Sequence, residues 1–545
     1  MRRFTSAPRR RSIVRPVHDT EVLILGILVA IPALSVIARV IGVPYPIVLV
    51  LGALPLGFIP GVPDVELEPD LVLVIFLPPL LYVAAFFANL RELRADARAI
   101  TLTSIGLVLV TTCAVAMVAH ELISGLPWAA AFALGAIVSP TDPVAATAIV
   151  RRVGAPRRLL TVIEGESLVN DSSALIAYRV AVAAAVGGSF SLLDATVDFL
   201  VAVAGGIAVG LIVGKAVAAV RRRLDDVPVE ITISIFTGYA AYLPAEQLGF
   251  SGVLGAVTAG IYLGWQAPWI STPRMRMQGE AVWELITFLL NAVLFVLIGL
   301  QLPTILDAVS GIPALELAGY ALATIAVVVG VRFLWVFTVP YLIRALDRRP
   351  SQAARRVGPA PRVIVAWSGM RGAVSLAAAL ALPIETDAGG PFPDRELLIF
   401  LAYCVVVFTV VVQGLTLPAL IRRLDVRDDG SEEQGEEYAA RIAAAEAALA
   451  RLEDLEVEDW VRDETAERLR GLYDYRRRRF GILSGELEDE DGIQDRSLDY
   501  QRLMRELLEA QHEAVIRMRD ERRISSEVMR RVERDLDLEQ ARLEI

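Results

Sequence analysis

Lysine is nearly absent from this chain. Lys215 is the one lysine among 53 basic residues, and in 545 positions histidine occurs only three times and cysteine twice. So few histidines argue against an imidazole-built metal centre. Cys113 and Cys404 both fall inside apolar runs and indicate no disulfide framework. Zinc-ligand spacings, phosphate-cradling glycine loops and nucleophile motifs are all missing. Neither an enzyme nor a resident cofactor is therefore expected, and nucleic acid is not an expected partner. The basic stretch 1–16 precedes an apolar run that is too long, and too poor in small-residue cleavage patterns, for a removed signal peptide.

What the chain has in excess is apolar length. Its hydrophobic share is 55% and its mean hydropathy +0.53, which a soluble domain seldom reaches. Runs of about 18–25 apolar residues, each long enough to cross a lipid bilayer, recur along the first 420 positions. They are continuous rather than alternating, which argues against a β-barrel. The expected fold class is an all-α polytopic membrane protein of about thirteen transmembrane helices: 21–40, 44–61, 69–88, 98–120, 127–150, 157–187, 191–220, 229–248, 250–267, 281–302, 316–343, 362–383 and 397–421. The intervening loops sort by charge. One set carries Arg91, Arg94 and Arg98, then Arg151, Arg152, Arg157 and Arg158, and continues through Arg221–Arg223, Arg274, Arg276, Arg344–Arg362, Arg422 and Arg423. The other carries Asp64, Glu66, Glu68, Glu121, Asp307, Glu385, Asp387 and Asp394. Arginine-rich loops face the cytoplasm. The C-terminal end is thus expected inside the cell membrane, and thirteen crossings put the N-terminus outside, against the charge of its own basic tail.

Three regions follow: a basic tail (1–20), a transmembrane domain (21–425) and an acidic helical cytoplasmic tail (426–545). From Asp425 onward there are 35 acidic and 21 basic residues. Segments 435–482 and 497–545 show helical spacing with abundant Glu/Arg pairs at i,i+4. A solvated helical hairpin that aids assembly and a regulatory sensor of pH, ligand or partner both fit this tail.

The chemistry lies inside the apolar runs. Residues 162–175 hold Glu164, Glu166 and Asp171, although an acid at the bilayer centre costs about 2.5–3.5 kcal/mol on insertion scales. On a helix, Glu166 and Asn170 are i,i+4, as are Ser167 and Asp171, so the four form one polar patch. Such an oxygen-rich patch suits a small hard cation, and cation and proton would compete for the Asp171 carboxylate. Glu164, near the cytoplasmic end, is expected to be solvated. In the fifth run, Ser139-Pro140-Thr141-Asp142-Pro143 should break the helix, which a membrane tolerates where the break lines a cavity or is buried in protein. Asp142 caps the second half-helix, and Thr141 offers a hydroxyl and a carbonyl; a plain proline kink is the simpler alternative. The twelfth run is interrupted at Ser368-Gly369-Met370-Arg371-Gly372. If runs 1–6 and 8–13 are inverted repeats, both breaks fall at equivalent places near the midplane. Arg371 needs an anion or half-helix carbonyls, and Glu166 is its expected partner in a structural ion pair. Arg179 and Arg332 are expected to snorkel, cap or pair. A cation channel gated by the acidic tail is the reading from a different class.

Thr141-Asp142-Pro143, Glu164-Gly165-Glu166-Ser167 with Asn170-Asp171, and Trp367-Ser368-Gly369-Met370-Arg371-Gly372-Ala373 together resemble the signatures of monovalent cation/proton antiporters, in the prokaryotic branch related to the eukaryotic sodium/proton exchangers. Supporting segments are Leu77-Pro78-Pro79-Leu80-Leu81-Tyr82, Ser251-Gly252-Val253-Leu254 and Phe295-Val296-Leu297-Ile298-Gly299-Leu300, and the resemblance spans about 20–425. It implies a homodimer in the lipid bilayer, with an elevator-like core moving against a dimerisation domain and exchanging Na+ (or Li+ or K+) for H+. Carried over, Asp171 is the ion- and proton-binding carboxylate with Asn170 beside it. Ser167 and Thr141 are supporting ligands of the monovalent cation, Asp142 belongs to the unwound crossing, and Glu166 and Arg371 form the ion pair. The Asn-Asp pair implies electroneutral one-for-one exchange. One departure stands out: many relatives carry an acid just after Leu-Pro-Pro, where this chain has Tyr82-Val83-Ala84-Ala85-Phe86. No cation ligand is expected from that helix.

Overall fold

Lipid offers the backbone no hydrogen bonds, so apolar runs must satisfy their own by coiling into helices. The computed structural model describes residues 15–59, 69–187, 191–346, 358–426, 430–489 and 492–543. Among these the regular structure is helical, apart from an isolated bridge between Glu385 and Pro391. The chain divides into two compact units, Met1–Arg427 and Asp428–Ile545.

The first unit opens with α1 (Arg15–Ile41), α2 (Tyr45–Leu56), α3 (Pro69–Phe86), the short α4 (Leu90–Ala95) and α5 (Ala97–Leu122). The first interrupted crossing is α6 (Trp128–Val138) with α7 (Pro143–Val153). Then come α8 (Arg157–Gly187), α9 (Leu192–Arg221), α10 (Val227–Gln247), α11 (Gly252–Ile270), α12 (Pro273–Leu300), α13 (Leu302–Ala308) and α14 (Ala314–Leu346). The second interrupted crossing is α15 (Pro359–Trp367) with α16 (Ala373–Leu380), and α17 (Arg395–Arg423) closes the unit. Each of the thirteen expected runs is represented. The largest differences are at α12, which starts at Pro273 instead of 281, and at α1, which starts at Arg15 instead of 21; α2 ends at Leu56 instead of near 61. Pro273 supplies the earlier start: it sits in the first turn, and the preceding Thr272 hydroxyl caps the Met275 amide. Among the described residues six helical stretches, one of them α6 together with α7, are long and apolar enough to cross a bilayer. α8, with 31 residues, is not among them because its polar side chains dilute its hydropathy. The arginines from Arg2 to Arg11, the acidic Asp64, Glu66 and Glu68, and Arg348–Arg356 lie outside the described residues.

Two packing systems share this unit. In one, α8 packs on α5, α6 and α7, with α14 against α5, α15 and α17. In the other, α11 packs between α3, α9 and α10. Glycines let those backbones meet. A Cβ at Gly260 of α11 would stand 2.6 Å from the Tyr82 carbonyl oxygen, and one at Gly264 would run into that of Phe86. Small residues at helix contacts serve membrane proteins because van der Waals packing, more than burial from water, must hold the helices together.

The second unit is two helical hairpins, α18 (Ser431–Leu455) with α19 (Asp463–Leu483) and α20 (Ile493–Asp520) with α21 (Ser526–Leu543). Helical spacing runs through both segments, 435–482 and 497–545, with no break marked in the sequence. Each folds back instead, and at the second turn Arg522 adopts a left-handed φ of 58°. Replacing Gly260 with valine should cost about 1–3 kcal/mol through overpacking, read as a lower melting temperature of the detergent-purified protein.

Candidate ion-binding site

The local sequence dictates where both crossings break. Pro143 occupies the first turn of α7, where its missing N–H costs nothing. The Asp142 carboxylate caps that turn by accepting the Val144 N–H at 2.9 Å. The second break has no proline: the segment from Ser368 to Gly372 leaves the helix, and Arg371 turns back into it. The two breaks touch, the Asp142 N–H donating to the Met370 carbonyl at 2.7 Å. Gly372 is required by this approach, because a Cβ there would overlap the Asp142 carboxylate.

Arg371 is buried, and its guanidinium satisfies carbonyls rather than a carboxylate. Nε donates to Val138 O, at the C-terminal end of α6, at 3.0 Å, and Nη1 donates to Gly369 O. Its backbone N–H donates to Thr409 Oγ1 at 2.9 Å, within a π-turn of α17 (Thr409–Gln413). A helix C-terminus carries about half a negative charge, so a fixed cation suits the end of α6. The expected pairing of Glu166 with Arg371 is therefore corrected. Glu166 is held instead by Arg332 of α14, in a two-pronged ion pair with Nη1–Oε1 at 2.5 Å and Nη2–Oε2 at 3.1 Å. The sequence leaves Arg332 to snorkel, cap or pair and names no partner for it. Glu164 bonds Arg151 at an exposed site.

Thr141 links the first break to α8. Its hydroxyl donates to Glu166 Oε1 at 3.0 Å and accepts from Asn170 Nδ2 at 2.9 Å. Its carbonyl accepts from Ser167 Oγ at 3.0 Å and Asn170 Nδ2 at 3.1 Å. Thr141, Glu166, Ser167 and Asn170 thus form one network, beside which Asp171 sits one residue further along α8. Asp171 is only 7% exposed, and among the described residues no group hydrogen-bonds or ion-pairs with its carboxylate. A buried acid without a counter-charge is tolerable only when protonated or when a cation joins it. Oxygens of neighbouring residues still able to accept include Asn170 Oδ1 and Ser172 Oγ, both buried without a partner, and the lone pairs of Ser167 Oγ. The Thr141 carbonyl, by contrast, already accepts two donors.

A family model described as sodium/hydrogen exchanger, transmembrane, matches residues 24–423. The chain belongs to the sodium/hydrogen exchanger family. This exchanger sequence is 36% identical, over 96% of its length and 97% of the relative's, to a protein named as a Na(+)/H(+) exchanger in Mycobacterium bovis. A Bacillus subtilis protein named as a sodium, potassium, lithium and rubidium/H(+) antiporter is 34% identical over 74% of this chain and 61% of its own. Among solved structures, the sodium proton antiporter MjNhaP1 of Methanocaldococcus jannaschii shares the fold, with a TM-score of 0.58 at 19% identity over 75% of this chain and 99% of that one.

The Glu166–Arg332 pair gives a test of the site's architecture. Arg332→Ala strands a buried carboxylate and should cost about 3–5 kcal/mol, whereas Arg332→Met with Glu166→Leu, which removes both charges, should cost much less. Thermal unfolding of the purified single and double variants measures the difference.

Proposed function

We propose that this chain exchanges Na+, or Li+ or K+, for H+ across the cell membrane, by alternating access with cation and proton competing for Asp171. The observation that carries the reading is one buried carboxylate without a counter-charge, lodged beside two broken helices. Asp142 is committed to the Val144 amide and Glu166 to Arg332, which leaves Asp171 as the acid with no structural task. Asn170 Oδ1 and Ser167 Oγ are the proposed neutral ligands, with Thr141 and Asp142 shaping the break. Cation choice stays broad in this proposal: a hard monovalent ion meets few fixed ligands here, and the B. subtilis relative's name spans four alkali metals.

One titrating group supports one proton per cation, so the exchange is proposed to be electroneutral. The exchanger is further proposed to work as a homodimer, with residues 21–425 in the bilayer, the tail 426–545 in the cytoplasm and the basic residues 1–20 outside. The arginine asymmetry of the loops supports that orientation.

In proteoliposomes reporting lumenal pH, a Na+ gradient should drive proton movement in the wild type, and Asp171→Asn should abolish it; retained exchange in that variant would reject the assignment. Competition also predicts that the apparent KM for Na+ rises as pH falls below the range in which Asp171 protonates. An imposed membrane potential should leave the initial rate nearly unchanged, and a strong voltage dependence would reject one-for-one stoichiometry.

A further inference from the structure

We propose that the acidic tail unit carries a binding site for a phosphorylated ligand with a planar aromatic group, of the nucleotide class, in the cleft between its helical hairpins. The cleft has a volume of about 1060 Å³, which is ample for a small ligand. Four arginines line it: Arg441 of α18, Arg476 and Arg479 of α19, and Arg496 of α20. Its carboxylate lining is Glu539. This is the reverse of the unit's composition, in which acids outnumber bases 35 to 21 from Asp425 onward.

The run Arg476–Arg479 is a solvated stripe at first sight, but the helix divides it. Arg477 turns to Asp474 and forms an ordinary ion pair at 3.1 Å. Arg476 and Arg479, three apart and on one face, point to the cleft and form no ion pair among the described residues. They are held by aromatic rings instead. Arg441 and Arg479 both lie over Phe480, at 5.0 and 5.5 Å from its centroid, and Arg476 lies over Tyr473 at 5.5 Å. A guanidinium pinned by its face, as at Arg476 and Arg479, presents its edge donors in a fork that matches phosphate, whereas Arg441 gives its Nε and Nη2 to Glu437 at 2.8 and 2.6 Å. Tyr475 and Tyr500 add aromatic surface to the same cleft, and aromatic rings are the usual platforms for a base. The surrounding negative charge does not forbid an anion here, since beyond about 8 Å it is screened at physiological salt. No nucleotide motif marks this site; side chains from separate helices assemble it.

Calorimetric titration of the full-length protein in nanodiscs tests the proposal, with ATP and inorganic tripolyphosphate as probes. ATP should bind saturably, one per chain, and at least tenfold more tightly than tripolyphosphate. Arg476→Glu with Arg479→Glu should weaken ATP binding at least tenfold, and Arg479→Lys, which keeps the charge and loses the fork, should weaken it less. Tyr500→Ala should weaken ATP but not tripolyphosphate. Arg517→Glu with Arg523→Glu, an equal charge change at exposed arginines outside the cleft, should leave ATP affinity unchanged, and melting curves report whether each variant is folded. Absence of saturable ATP binding, tripolyphosphate binding as tightly as ATP, or equal losses in the Arg517/Arg523 and cleft variants would overturn the site.

Discussion

A helix broken inside a membrane leaves carbonyls that water cannot reach, and everything at this site depends on how those carbonyls are satisfied. Arg371 does most of that work. Its guanidinium bonds the end of α6 through Val138 O and the second break through Gly369 O, while its own amide is fixed by Thr409 in a π-turn. The π-turn is part of the solution, because it re-aims the Thr409 hydroxyl towards Arg371 while α17 continues on both sides. Once Arg371 is spent on backbone dipoles, it cannot also neutralise an acid. The Glu166 charge therefore needs a second cation, which Arg332 supplies from α14.

This allocation sorts the charges of α8 by task. Glu166 and Asp171 are little more than a helical turn apart and both buried, yet their surroundings are opposite. Glu166 has a two-pronged guanidinium and the Thr141 hydroxyl; Asp171 has neither. A charge so fully matched gains nothing by releasing its partner, whereas an unmatched one must take up a proton or a metal ion. Both ingredients of an exchanger are thus present within one helix: a fixed pair that holds the broken crossing to its neighbours, and a single acid left in need of a positive charge.

Much of this was legible in the sequence, and the illegible part has a common cause. Pro140 and Pro143 announced the first break because missing amides are a local property, and Asp171 stood out because an acid in an apolar run is costly wherever it packs. The partner of Glu166 was not legible in the same way. Arg332 is 166 positions away, and no periodicity links two helices that distant; only the tertiary arrangement sends Arg371 to carbonyls and Arg332 to the acid. The turns inside the tail are illegible for a different reason. Neither 456–462 nor 521–525 contains glycine or proline, so nothing local interrupts the helical pattern, and packing of the hairpins overrides propensity.

The same division between matched and unmatched contacts bears on how α8 could carry an ion across the membrane. Leu168, Val169 and Leu175 of α8 meet Leu77, Leu81 and Ala85 of α3 and Val253, Ala256 and Val257 of α11 in an apolar seam between the two packing systems. Shear along such a seam exchanges one set of aliphatic contacts for another and breaks no buried hydrogen bond. An ion pair does cross between the systems, Arg179 to Glu246, with side chains 45% and 25% exposed. The buried pair, Glu166–Arg332, joins helices on the same side of the seam. Among the described residues, the fully buried Glu166–Arg332 pair thus lies within one packing system, and the seam between the systems is lined by aliphatic side chains. With Val83 and Ala84 after Leu-Pro-Pro, α3 adds no second carboxylate there, and so no like charge to set against the Asp171 carboxylate.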